Sequence, residues 1–379
     1  MTKIKVCFLA GSFNIGGVET SIYHLSKGLI PLGYEIIIIY FDGKAHLKNE
    51  LNKIGCKVLY LRVGKILGNP IATIYNLYKL LLSEKPDIIH AHKPKAELYG
   101  GICGFLAGIP VLVSSKHGKD MLSKITFRLS FFLISGFYDR IVLVSPNLKK
   151  IMIRGTLFAK DRFINIGHGL DAQRFLDSSV ELESRNILKK YKQDKSKLIG
   201  TISRLVPEKG IEFLIGAMAI LKDEMSVNLL IVGDGPLYEK FNLLIKHNKL
   251  EERVFLSGWR SDSATVLKTL DVFLLPSLTE SFPFVLLEAM ASRVPIIASA
   301  VDGIPFILGH EKNALLVKPK NSKEIAFAVK RVLSDLKLAN NLAENAFTTL
   351  NNYYTVRKMI DSFDRLYKGL LSKKNLCQK

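Results

Sequence analysis

The chain reads as an α/β protein built from two doubly wound parallel domains in series. Three observations predict this. Short, wholly apolar runs of strand length alternate with stretches of helical spacing through the 379 residues. Strands that are apolar on both faces belong to a parallel sheet covered by helices on both sides. The rhythm stops at a polar stretch after Phe175 and restarts at Leu198, so two sheets are expected, and the chain is too long for one ordinary core.

In order, residues 4–10 (IKVCFLA) form the first strand, followed by the turn GSFNIGG and a helical stretch from Val18 to about Leu32. Residues 35–41 (EIIIIYF), 88–92 (IIHAH), 109–115 (IPVLVSS) and 141–145 (IVLVS) are further buried strands, with helical stretches between them. The first domain is therefore expected to span 1–175, with 176–197 as a linker. The second, 198–353, opens with the strand LIGTIS (198–203) and a helix from Gly210 to about Leu221. Then come NLLIVGDG (228–235) as strand plus turn, DVFLLPS (271–277), a helix over 283–291 and PIIAS (295–299). A basic helix over 354–379 follows the second sheet. Ligands of open α/β sheets bind at the carboxyl ends of the strands, so a cleft between the two domains is the expected active site.

Composition excludes several classes. The chain is 48% hydrophobic with mean hydropathy +0.19, too apolar for disorder. Its formal net charge is +20. Residues 1–172 hold 23 Lys/Arg against 11 Asp/Glu, and residues 357–379 hold 7 against 2. The basic character thus sits in the first half and the last helix, where it suits an anionic membrane or an acidic substrate. No nucleic-acid-binding motif is present. The four cysteines, Cys7, Cys56, Cys103 and Cys377, have no paired spacing, which points to a reduced, cytosolic protein without zinc or disulfides. MTKIKVCFLA runs straight into a strand, so no signal peptide is expected.

Four loops carry chemistry. GSFNIGGVE (11–19) lets backbone N–H groups approach an anion. It lacks the G-x-G-x-x-G dinucleotide fingerprint, although Asp42 ends the second strand where a ribose-binding acid of a dehydrogenase would sit. ISRLVPEKG (202–210) sets Arg204 after a strand and Lys209 just before a helix. A planar guanidinium and an ammonium there suit a diphosphate, or are two solvated surface cations. VGDGP (232–236) is a strand-ending turn whose glycines admit a base or ribose nearby. TESFPFVLLEAM (279–290) puts Glu280 and Glu288 eight positions apart around a helix start, with Ser281 as an expected cap and Pro283 in the first turn.

GGVE, SRLVPEKG, VGDGP and ESFPFVLLEAM, in this order from Gly16 onward, resemble the retaining nucleotide-sugar glycosyltransferases of family 4, which have the two-domain GT-B fold. The resemblance spans nearly the whole chain. It implies that Glu288 accepts hydrogen bonds from ribose hydroxyls and that Glu280 contacts the donor sugar. Backbone N–H groups from Phe282 to Phe284 would lie near phosphate or sugar oxygens, although Pro283 has none to offer. Arg204 and Lys209 match the pair that binds the diphosphate, and Gly16 and Gly17 the N-terminal loop that closes over it; Gly233, in the VGDGP turn, counts with the donor-binding residues. His117, in SSKHG, matches a first-domain histidine near the donor sugar, or is an ordinary loop histidine.

In the implied reaction two fixed cations and a helix dipole stabilise the leaving diphosphate without a metal. No Asp-x-Asp motif for a divalent ion is seen. No cofactor is expected beyond the nucleotide-sugar substrate, and no protein nucleophile. Three departures stand out. Ser281 and Arg293 occupy positions where the family has glycine, so the turn at Arg293 should differ, and His168 in IGHGLD replaces an asparagine. The last helix is expected to pack back on the first domain, as in other GT-B enzymes.

MLSKITFRLSFFLISGFYDR (121–140) is apolar and aromatic, with Lys124 and Arg128 one turn apart. It is either a buried helix or an interfacial one. With the basic first domain, the second option implies a carbohydrate or lipid-linked acceptor at the cytoplasmic face of an anionic inner membrane. The overall expectation is a retaining, metal-independent glycosyltransferase of bacterial surface polysaccharide, lipopolysaccharide or glycolipid synthesis. A GT-B sugar-nucleotide epimerase and a non-catalytic sugar-nucleotide-binding partner remain as alternatives. Both are disfavoured because Arg204, Lys209 and both glutamates are present together.

Overall fold

The structure is a computed structural model that describes residues 3–11, 13, 16–43, 45–61, 70–118, 134–153, 160–176, 188–192 and 196–377. The chain divides into two compact units, residues 1–169 with 356–379, and residues 170–355. The expected first-domain boundary at 175 therefore shifts. Residues 170–175 and the linker stretch 176–197 belong to the second unit.

In the first unit, β1 (Ile4–Ala10), β2 (Tyr34–Tyr40), β3 (Lys57–Tyr60), β4 (Ile88–His92), β5 (Val111–Lys116), β6 (Arg140–Leu143) and β7 (Phe163–Asn165) form one parallel sheet. The order is β3-β2-β1-β4-β5-β6-β7. The central strands are buried along nearly their whole length, which is why their sequences are unbroken apolar runs. β3 and β7, not foreseen from the sequence, are the two edges. Each is short and partly exposed, so the apolar signal is broken there.

The C-terminal helix Val356–Cys377 completes this unit rather than the second. Met359, Ile360, Phe363, Tyr367 and Leu370, spaced three or four apart, enter the first unit's core. Gly28 lets the helix Gly17–Leu29 come close, because a Cβ there would collide with Ile360. The Tyr34 hydroxyl donates to Asp364 Oδ1 at 2.8 Å, and Lys374 pairs with Asp139 at 2.9 Å. Of the apolar stretch 121–140, residues 121–133 lie outside the described residues. Within the rest, Tyr138 is buried and its hydroxyl donates to the Glu97 carbonyl at 2.5 Å. Cys7, Cys56 and Cys103 are buried free thiols.

In the second unit, β8 (Lys197–Ile202), β9 (Val227–Val232), β10 (Val254–Gly258), β11 (Val272–Leu275), β12 (Ile296–Ser299) and β13 (Leu315–Val317) make a second parallel sheet in the order β10-β9-β8-β11-β12-β13. Its apolar faces are covered by helices that include Ile211–Leu221 and Ser322–Ser334. Again the strands missed by the sequence reading, β10 and β13, are the edges.

The turn at Arg293 uses a backbone conformation that favours glycine. Arg293 itself adopts φ 53°, a left-handed conformation that costs a non-glycine residue about 1–2 kcal/mol. Its guanidinium lies 4.1 Å from the Phe347 ring centroid and 3.5 Å from Glu344.

The strand order reverses direction between β1 and β4 in one sheet and between β8 and β11 in the other. These switch points are where doubly wound sheets place ligand sites.

Candidate active site

At the β8/β11 switch point the sequence delivers a cation from one strand end and a carboxylate from the next. β8 leads through Ser203–Arg204 to the short 3-10 turn Pro207–Lys209, and β11 leads through Ser277 to Glu280. Lys209 Nζ donates to Glu280 Oε1 at 2.5 Å, and the Ser277 hydroxyl donates to the same oxygen at 2.8 Å. Lys209 is 20% exposed and Glu280 9%. The pair is thus largely shielded from water, where an ion pair is worth more than at the surface. Arg204 is exposed on the same loop and makes no ion pair among the described residues. The loop carries one cation held by a carboxylate and one available to an anion.

Other residues, not singled out from sequence, hold this loop in place. Asp302 accepts from the Thr279 hydroxyl at 2.6 Å and from the Glu280 N–H at 3.3 Å. The Gly303 N–H donates to the Glu280 carbonyl at 2.8 Å. A Cβ at Gly303 would collide with the Ser281 carbonyl, so glycine is required for this approach. The only trace of this in the sequence is a D-G dipeptide after β12, a common turn signal with no chemistry of its own.

The helix runs over Phe284–Ala291. Ser281 is not its cap. Pro283 holds that position, and no side chain caps the first turn. Proline's fixed φ suits the entry, and Ser281 lies too far upstream to reach the first N–H groups. Phe284, half-buried, opens the helix, and Glu288, half-buried, sits in its second turn. Phe282 is buried edge-on against Tyr354 with ring centroids 5.4 Å apart. Gly233 has φ 141°, and a Cβ there would collide with the Ser203 carbonyl. Ser203 N–H donates to Val232 O at 3.0 Å and Leu205 N–H to Asp234 O at 2.9 Å. The VGDGP turn is therefore laced to the loop that carries Arg204.

At the β1/β4 switch point of the first unit, Gly16 and Gly17 open the helix Gly17–Leu29, and the Gly16 carbonyl accepts from the Thr20 N–H at 3.0 Å. Two residues past Gly17, buried Glu19 pairs with Lys93 Nζ at 2.5 Å. A second, deeper pair joins Lys116 and Glu97. Asp42 turns back on its own loop, its Oδ1 accepting from the Gly43 N–H at 2.7 Å.

His117 directly follows β5 and belongs to a column of four histidines. His92 Nδ1 and His117 Nε2 share a hydrogen bond of 2.9 Å. His168 lies nearly parallel to His117, at 8° and 5.4 Å between centroids. His90 packs on His92 at 4.2 Å, and its own nitrogens bond the Tyr367 hydroxyl at 2.6 Å and the Ser115 hydroxyl at 2.7 Å. Burial, then the neighbouring His117, holds His90 well below the ordinary histidine value. Burial also dominates for His92 and His117, with adjacent histidines and Lys93 adding to it. Burial and then His24 push His168 down to about 3. The column is neutral at pH 7. The only sequence signal is the pair His90 and His92, two apart in IIHAH and so on one face of a strand; His117 and His168 stand singly.

Residues 15–174 match the family model described as Glycosyltransferase Family 4, and residues 183–349 the model described as Glycosyl transferases group 1. The protein is a family 4 glycosyltransferase. An Escherichia coli relative named UDP-Gal:alpha-D-GlcNAc-diphosphoundecaprenol alpha-1,3-galactosyltransferase is 28% identical to this transferase over 313 residues, 80% of each chain. The N-acetyl-alpha-D-glucosaminyl L-malate synthase of Bacillus anthracis is 26% identical over 388 residues, 94% of the transferase and 95% of the relative. The crystal structure of Anabaena HepE in complex with UDP aligns at TM-score 0.84 and 22% identity, over 97% of the transferase and 100% of that chain. The fold is GT-B. Membership of this family sets aside the dehydrogenase reading of Asp42.

Proposed function

We propose that this glycosyltransferase moves a sugar from a uridine-diphosphate sugar to a hydroxyl of a lipid-linked carbohydrate, with retention at the anomeric carbon and without a metal ion. The Lys209–Glu280 pair beside Arg204 at the β8/β11 switch point carries the reading. As the bond from the anomeric carbon to the diphosphate oxygen breaks, Arg204 and Lys209 stabilise the charge on the leaving group. The acceptor oxygen bonds to the same face, and its proton passes to the departing phosphate oxygen. Glu280 orients Lys209 and presents its second oxygen to the sugar, while Glu288 accepts from the ribose hydroxyls. In this reading Gly16, Gly17 and His117 also contact the donor, as do the backbone at Phe282 and Phe284 and the Gly233 turn.

The donor test is a thermal-shift series with UDP-, GDP-, ADP- and CMP-sugars, with and without EDTA. A ligand at a hundred times its Kd adds about 2.7 kcal/mol. The expected result is stabilisation by UDP-sugars alone, unchanged by EDTA and lost in Arg204→Ala. An EDTA-sensitive shift would refute metal independence.

Two observations support a membrane-borne acceptor. The E. coli relative's name contains a diphosphoundecaprenol-linked sugar. In the first unit, the helices Pro70–Glu84 and Pro94–Leu106 expose Ile71, Tyr75, Leu82, Leu98, Phe105 and Leu106. Lys79 and Lys95 are exposed on the same helices, whereas their acids, Glu84 and Glu97, are paired with lysines. Such a face suits the interface of an anionic bilayer. Among the described residues no helix is long and apolar enough to cross a membrane, and this reading makes the association peripheral, on the cytoplasmic face. Sedimentation with phosphatidylglycerol vesicles at low salt, abolished by high salt and by Phe105→Ser/Tyr75→Ser, is the expected outcome. Indifference to anionic lipid at low salt would sink this part.

A further inference from the structure

We infer that Asp302 is a positioning residue for the transfer step: its carboxylate holds Glu280 so that one Glu280 oxygen stays on Lys209 and Ser277 while the other faces the donor sugar. The inference rests on the donor reading above. Asp302 lies in the loop after β12 and reaches the loop after β11, 22 positions back in sequence.

The backbone shows that the side chain is there for a reason other than the turn. Asp302 has φ 47°, in the left-handed region that glycine enters freely and a residue with a Cβ enters at a cost. Such strain persists where the surroundings over-determine it, and it gathers at functional sites. The next residue supplies the constraint. Gly303 N–H donates to the Glu280 carbonyl at 2.8 Å, and a Cβ on Gly303 would meet the Ser281 carbonyl oxygen at 1.7 Å. The loop is therefore pressed against residues 280–281, and glycine at 302 would take this backbone without strain. The chain carries a carboxylate instead. Its Oδ2 accepts from the Thr279 hydroxyl at 2.6 Å, the length expected of a hydroxyl donating to a carboxylate, and from the Glu280 N–H at 3.3 Å.

Glu280 is then fixed at every polar point but one. Its N–H is on Asp302, its carbonyl on Gly303, and its Oε1 on Lys209 Nζ at 2.5 Å and the Ser277 hydroxyl at 2.8 Å. Oε2 makes no hydrogen bond among the described residues. Without Asp302 the Thr279–Glu280 peptide keeps only the Gly303 contact and can tilt, which moves the carboxylate relative to Lys209. A misplacement of about 1 Å in a reacting complex can lower its rate about a hundredfold.

The test separates positioning from stability with Asp302→Ala, Asp302→Gly and Asp302→Asn in the full-length protein. Turnover is read as UDP released from the UDP-sugar that stabilises the wild type, nucleotide binding by titration with UDP alone, and stability by urea unfolding. Glycine relieves the left-handed strain that alanine keeps, so Asp302→Gly should unfold at higher urea than Asp302→Ala. Both should nevertheless lose kcat equally, by about 10–100-fold, with the Kd for UDP unchanged. Asp302→Asn, which tolerates the same backbone and keeps an acceptor oxygen, should stay within about tenfold of the wild type. Turnover that follows stability, with Asp302→Gly well above Asp302→Ala, would make Asp302 a purely structural residue and overturn the proposal. A weakened Kd for UDP in both variants would also overturn it, because the role would then lie with the nucleotide and not with Glu280. Adding Asp302→Ala to Glu280→Gln should cost little further kcat and less stability than the two single losses combined. If the wild type binds no UDP, the donor reading fails and the unfolding cycle alone decides: additive stability losses would break the link from Asp302 to Glu280, and non-additive ones uphold it.

Discussion

Lys209→Ala lowers kcat by about 10²–10³-fold if Lys209 stabilises the leaving diphosphate, the loss typical of removing one preorganised group from a developing anion. The substitution also strips Glu280 of its cation. An uncompensated carboxylate in a buried pair costs about 3–5 kcal/mol, and the expected loss is smaller here because Lys209 is 20% exposed. The two effects separate in the double variant. Adding Glu280→Gln removes the uncompensated charge, so denaturant unfolding should recover most of the lost stability while turnover stays low. Recovery of turnover together with stability would show that Lys209 serves only to neutralise Glu280.

The histidine column makes the first unit acid-labile. His90, His92, His117 and His168 all have folded-state values depressed, chiefly by burial. In the unfolded chain each titrates near about 6.5. Above that pH both states are neutral and the column's stabilising contribution is fully present. As pH falls below it the unfolded chain gains protons that the folded unit refuses, and stability drops by about 1.4 kcal/mol per pH unit for each such histidine. For His168 the loss continues down to about 3. Thermal unfolding followed between pH 7.5 and 5 should show this slope, and His168→Asn should reduce it by one proton. A melting temperature that is flat across this window would contradict a neutral, buried column.

The central strands were legible because burial on both faces writes an unbroken apolar run. IKVCFLA, EIIIIYF and IIHAH all fall on the interior of one sheet. β3, β7, β10 and β13 were not, because an edge strand is short and exposes part of its surface. Of the site, Lys209 and Glu280 could be nominated from local motifs, yet their 2.5 Å contact joins residues 71 positions apart. Ser277 and Asp302 act through side-chain hydrogen bonds to Glu280 and Thr279, and Gly303 through a close backbone approach, none of which a sequence motif marks. At Arg293 the missing glycine implied an altered turn; the residue takes the left-handed conformation that glycine favours, beside Phe347 and Glu344.

The C-terminal helix has a consequence for biosynthesis. The first unit's core needs Met359, Phe363 and Tyr367, but these are translated only after all of residues 170–355. At about 5–20 residues per second, the ribosome exposes the N-terminal sheet well before its closing helix exists. The second unit, continuous in sequence, can finish folding first. During that interval the surface awaiting the helix, including His90 and the groove beside Gly28, is a target for chaperones. A nonsense mutation in the last two dozen codons would strike the half of the protein made earliest.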